Sequence, residues 1–147
     1  MLALLRFVVT HIRVVLPFSA LLYFAAGCAS ISPLQGGPKD ETPPKVLEEE
    51  STPNEQTNAS PRRIELVFDE WITLTDVFNQ VVVSPPLQYK PEVLLKGRTV
   101  IFELDEKEQL RPDATYTINF GNAIKDLTEN NPAENLRFVF STGAYID

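Results

Sequence analysis

The chain has 147 residues, with 13 basic and 20 acidic side chains, a single Cys, a single His, 12 Pro and a formal charge of −7. That length allows one modest domain with a real core, and the acidic balance argues against nucleic acid as a partner, since phosphate binding needs clustered Lys and Arg. A single Cys excludes an intramolecular disulfide, so stability must come from packing.

The first 38 residues contain no acidic side chain; Arg6 and Arg13 are the only formal charges, with His11 between them. Val14 to Ala26, VVLPFSALLYFAA, then runs 13 residues without a charge. A basic start, a short apolar core and a small-residue exit predict a secretory signal peptide over residues 1–27. The rival, a retained transmembrane helix, needs about 20 apolar residues. Ala25-Ala26-Gly27-Cys28 resembles a bacterial lipobox, with Ala25 where that pattern most often has Leu. The resemblance implies a diacylglyceryl group on the Cys28 thiol, cleavage just before it and acylation of the new amino group. The alternative is an ordinary signal peptide in which the cysteine is discarded. Two or more acyl chains anchor stably where one does not, each buried CH₂ contributing about 0.8 kcal/mol.

With the cut before Cys28, 120 residues remain, holding 11 basic and 20 acidic side chains, a charge of −9, and no His. The commonest general base and metal ligand is then absent. Ser-His-Asp and Cys-His sites are excluded, and zinc loses its His and Cys ligands. Carboxylates, Tyr, Lys and hydroxyls remain for chemistry, and no cofactor is implied.

Residues 28–42 are the anchored cysteine and a flexible tether rich in Ser, Gly and Pro. From residue 43 to 143 short runs of period two follow. Lys45 to Glu50 reads as a weak first strand, with Glu48, Glu49 and Glu50 on a solvated face. Arg62 to Phe68 alternates, with Ile64, Leu66 and Phe68 on one face. Phe78 to Val83 reads as a third strand. Tyr89 to Leu95 and Arg98 to Leu104 flank Lys96-Gly97 as a hairpin. Thr115 to Phe120 places Tyr116, Ile118 and Phe120 inward, and Leu136 to Ser141 does the same with Leu136, Phe138 and Phe140. A short helical turn is expected near Asn122 to Leu127. About seven short strands predict an all-β, immunoglobulin-like Greek-key sandwich. Leu110, Pro112 and Tyr116 have the L-x-P-x-x-x-Y spacing of a tyrosine corner, in which the Tyr hydroxyl bonds to upstream backbone.

GGPKDETPP, a strand ending in Phe68-Asp69-Glu70, the L-x-P-x-x-x-Y run, NFGNAIKDLTENNP and a final FVFSTG occur in that order. Together they resemble an SbsA-type bacterial Ig-like domain, in particular the N-terminal part of lipoproteins from Bacteroidota. The resemblance covers residues 27 to 143. It implies an Ig-like sandwich in the cell envelope, used as a spacer or binding module, with no catalytic residue to carry over. Members of that family often continue further, so residues 144–147 are read as the chain end of a fragment or a short form.

Four further stretches carry groups capable of chemistry. The oxygen-rich loop Asp126 to Asn131 has donors for Ca²⁺ but lacks the EF-hand spacing, and its residues are also those of a turn. Asp69 and Glu70 could form a carboxylate pair, but neighbours on a strand point to opposite faces. Trp71, the only Trp, is expected in the core. Asn58-Ala59-Ser60 matches an N-x-S acceptor, which matters only in hosts with the transferase. The expected function is a lipid-anchored envelope module with a structural or protein-interaction role and no enzymatic activity. The alternatives are a carbohydrate- or peptidoglycan-binding module, using Trp71, Tyr89 or Tyr145 on one surface, and a spacer of a larger surface lipoprotein. Ala29 after the lipid site, with no Asp there, resembles outer-membrane sorting. The first acidic residues being Asp40 and Glu41, a periplasm-facing position is expected over a surface one.

Overall fold

The computed structural model describes Gly37 and residues 39–147. The expected signal peptide, Cys28 and most of the expected tether lie outside the described residues. Eight strands follow in order: β1 (Arg63–Val67), β2 (Ile72–Leu74), β3 (Val82–Ser84), β4 (Glu92–Lys96), β5 (Thr99–Glu103), β6 (Thr115–Asn119), β7 (Ile124–Asp126) and β8 (Arg137–Ser141). A single helical turn, α1 (Val77–Gln80), separates β2 from β3. The strands pair antiparallel as two three-stranded sheets, β1-β5-β4 and β3-β6-β8, with β2 and β7 forming a small ribbon. This is an all-β Ig-like sandwich.

Period two explains why these residues form sheets with one buried face. Ile64 and Leu66 of β1, Val100 and Phe102 of β5, Tyr116 and Ile118 of β6, and Phe138 and Phe140 of β8 all join one core. Phe102 meets Phe120 edge-on at 6.4 Å between centroids, and Tyr116 stacks on Phe140 at 5.3 Å. Burying each such side chain contributes about 1.5–3 kcal/mol, which replaces the disulfide the chain cannot form. The β4–β5 hairpin turns on Gly97, whose φ of +63° suits the first position of a two-residue turn and would strain any other residue.

Three local expectations are corrected. Lys45 to Glu50 is not a strand: Val46 makes one bridge to Phe68, and Glu48–Glu50 is an exposed 3-10 turn. Phe78 to Val83 is broken, because Asp76 takes a left-handed φ of 49° and starts α1, so that the paired strand is only Val82–Ser84. The helical turn expected near Asn122 to Leu127 is β7, held by pairing with β2. Neither ribbon strand is long enough to show a period of its own.

Residues 47–59 form a strap along one side of the sandwich. Leu47 and Thr52 donate their N–H groups to the carbonyls of Val67 and Glu65 on β1. Glu55 donates to Val139 and Ala59 to Ser141, while Ser141 donates to Gln56, all on β8. The strap thus covers the outer edges of β1 and β8, one in each sheet. On the opposite side, β3 and β4 are the remaining edges.

Candidate functional site

The open side carries an uncovered apolar groove. Val77, Phe78 and Val81 from α1 and its exit face Pro91, Val93 and Leu94 across an open groove of about 560 Å³. Phe78 is 75% exposed, with the Lys90 ammonium 4.7 Å above its ring. Val82, Leu94 and Leu95 are exposed beside it. Within the β4–β5 hairpin, Lys96 opposes Thr99 across the two-residue turn, so that pair exchanges hydrogen bonds. By alternation Leu94 and Glu92 also bond to β5, and the backbone groups of Val93 and Leu95 point outward. Among the described residues they meet no backbone partner. Bare strand edges beside apolar surface are where extended chains add on.

A second region is the acidic end around the 126–131 loop. Asp126 is 1% exposed. Its carboxylate accepts the N–H groups of Glu129 (2.6 Å), Asn130 (2.8 Å) and Asn131 (2.9 Å). Burial pushes its pKa up, but these N–H bonds outweigh that and hold it below the usual carboxylate value. The carboxylate is therefore spent on shaping its own turn. Asn131 Nδ2 in turn donates to the carbonyls of Asp40 (3.0 Å) and Thr42 (3.4 Å), fixing the end of the expected tether to this loop. Glu70 faces the same end. Burial, then the charges of Asp126, Asp69, Asp40 and Glu129, push its pKa up. Asp69 points elsewhere and accepts the Lys45 N–H at 2.9 Å.

Tyr116 is buried, and the Arg111 N–H donates to its hydroxyl at 2.9 Å. Leu110 packs against the core and Pro112 is exposed in the intervening turn. Thr142 closes the same corner, accepting from the Ala114 N–H (2.9 Å) and donating to the Arg111 carbonyl (2.7 Å). Glu108 is a buried carboxylate that the sequence reading did not single out. It is 4% exposed and accepts the N–H groups of Gln88 (2.9 Å) and Tyr89 (2.7 Å), pinning the loop that leads into β4. A Glu in a polar run between strands gives no pattern that would reveal this.

Trp71 is not in the core: it is 63% exposed. It follows the acidic pair that leaves β1, and it lies 4.0 Å from where a Cβ would stand on Gly97. Tyr89 and Tyr145 are exposed too, but the three do not share a surface. Trp71 stands at the Gly97 turn. Tyr89 is tied to Glu108, whose carbonyl takes Arg62 Nη1 at 3.3 Å at the other end of β1. The backbone N–H of Asp147, two residues past Tyr145, donates to Thr115 at the start of β6. Asn58, of the N-x-S match, is exposed with a φ of 51° and donates its N–H to Gly143.

A family model described as a bacterial Ig-like domain matches residues 40–142. No curated protein and no solved structure matches the chain.

Proposed function

Since the chain belongs to the family of bacterial Ig-like domains, we propose that it is a non-catalytic structural and protein-interaction module, held at a cell-envelope membrane by lipid on Cys28. The observation that carries the first half is the use made of the buried carboxylates. Glu108 and Asp126 are each committed to backbone N–H groups, so neither is available as a general acid or base. The uncovered chemistry is instead apolar surface and strand edge along β3 and β4, which suits contact with another protein. The scatter of Trp71, Tyr89 and Tyr145 supports protein over glycan, because a sugar platform needs aromatic faces side by side.

The anchoring half rests on the lipobox-like Ala25-Ala26-Gly27-Cys28 and the charge-free run before it. The position we propose is the outer membrane, facing the periplasm. Mass spectrometry of the N-terminal peptide, from cells fed a labelled fatty acid, tests it. The expected peptide begins at Cys28 and carries diacylglyceryl and acyl mass with the label. An unmodified Cys28, or a mature N-terminus elsewhere, would overturn the anchor.

A further inference from the structure

We propose that the open β4 edge pairs antiparallel with β4 of a second copy of this chain, joining two three-stranded sheets into one. The proposal names a partner for the interaction module and rests on that reading, though not on lipid attachment. Its basis is that the sequence of β4, Glu92-Val93-Leu94-Leu95-Lys96, is self-complementary when turned end to end. Centred on Leu94, antiparallel pairing sets Glu92 against Lys96 of the second copy at both ends. It also sets Val93 against Leu95 and Leu94 against itself.

Backbone, charge and apolar surface select the same register. The backbone groups that point outward are those of Val93 and Leu95, and centring on Leu94 makes these two residues the hydrogen-bonded pair. A shift by one residue would set outward groups against inward ones. Glu92 and Lys96 have no ion-pair partner among the described residues. Glu92 moreover stands directly opposite Glu103 on β5, whose cation, Arg63, is shared with Glu65. Like charges opposite one another on a sheet are unfavourable, so the open side of Glu92 calls for a cation. Lys96 of the second copy supplies it. Leu94 and Leu95 are both exposed despite lying mid-strand. In the pair, Leu94 meets its own copy across a close, non-hydrogen-bonded position. Leu95 comes opposite Val93, which lines the apolar groove beneath Phe78. The strand carries no Pro or bulge of the kind that blunts an edge.

The test uses the full chain in mild detergent, followed by sedimentation equilibrium. A reversible dimer is expected. Glu92→Lys sets like charges at both ends and should weaken it on the order of tenfold. Lys96→Glu should do the same. The double reversal Glu92→Lys/Lys96→Glu restores complementarity and should return the dimer to near its original strength. These side chains are exposed, so circular dichroism should be unchanged. Register is read by Leu94→Cys in a Cys28→Ala background. The two Cα atoms would lie about 4.5 Å apart, within the roughly 4.4–6.8 Å that a disulfide spans. A reducible covalent dimer is expected there and not for Glu92→Cys, which would face position 96. A chain that is monomeric throughout overturns the proposal. So does a dimer indifferent to both single reversals, or one that Leu94→Cys does not capture. Failure here would leave the membrane anchor to its own measurement on Cys28.

Discussion

Along β1 and β8 the outer edges are covered by residues 47–59, which exchange backbone hydrogen bonds with both sheets. Along β4 the corresponding groups of Val93 and Leu95 face outward, and the apolar groove under Phe78 lies open beside them. Both sides belong to the same sandwich and share one core. They differ in whether a stretch of irregular chain is laid across them. An edge so covered contributes to folding, because its N–H and C=O groups are satisfied within the molecule. An edge left bare contributes little to folding and is available for another chain. The contrast therefore separates residues that hold the domain together from residues that can meet a partner.

The strongest test of the contrast is side-chain truncation on each side. Phe140, buried under the strap and stacked on Tyr116, should cost about 3–5 kcal/mol as Phe140→Ala. Leu95→Ala on the open edge should cost clearly less, about 1–2 kcal/mol, because that side chain is 39% exposed and only part of its transfer free energy is lost. Urea unfolding of both variants measures the difference, and equal losses would erase the distinction.

Proline gives the next effect in size, since it deletes an N–H donor. Glu55 has a φ of 57° and donates to Val139 at 2.8 Å, so Glu55→Pro meets both a forbidden angle and a lost bond. It should destabilise by more than about 1 kcal/mol. Leu95→Pro removes an N–H with no partner in the monomer and should cost less, as expected of an edge strand. Matching midpoints in urea for the two would mean that the strap does not stabilise β8.

Much of the covered side's core was legible in sequence, and its covering was not. Arg62 to Phe68, Thr115 to Phe120 and Leu136 to Ser141 each alternate over enough residues for period two to show. The hairpin at Lys96-Gly97 is local, so its turn residue reveals it. The strap leaves no period, because its bonds run to distant strands through Ser, Thr, Asn and Gln that read as turn. Three-residue strands such as β2 and β7 are fixed by each other rather than by their own pattern. Trp71 fails for another reason. Size favours burial on average, but the chain leaves β1 at Asp69-Glu70, and Trp71 lies beyond the last inward position. The open edge was present in the sequence as a strand. That it is an edge follows only from the sheet order.

A smaller effect separates the two ends of β6. The Tyr116 hydroxyl accepts one backbone N–H from Arg111 in a buried corner. Tyr116→Phe keeps the ring on Phe140 and removes the acceptor, so it should cost about 1 kcal/mol. An unchanged unfolding midpoint would show that water or another group takes the bond.

The subtlest prediction concerns pH, and it opposes two carboxylates at the acidic end. Asp126 has a folded pKa below its ordinary value, so it adds stability above its unfolded pKa near 3.8. That stability is lost as pH falls through the folded value. Glu70 has a folded pKa above its ordinary 4.5, so its charged form is disfavoured in the folded state. Its penalty is fully present above the folded pKa and is relieved as pH falls through it. The thermal midpoint should therefore rise slightly as pH drops toward the mid-4s and fall below the high 3s. Glu70→Gln should remove the upper slope and raise the midpoint at neutral pH. Asp126→Asn should lower the midpoint at neutral pH and flatten the acid slope, because its side chain can no longer offer a charged acceptor to three N–H groups. If both variants left the pH profile of the midpoint unchanged, the acidic end would not be a cluster that titrates with folding. Asn131 would then hold Asp40 and Thr42 by hydrogen bonding alone.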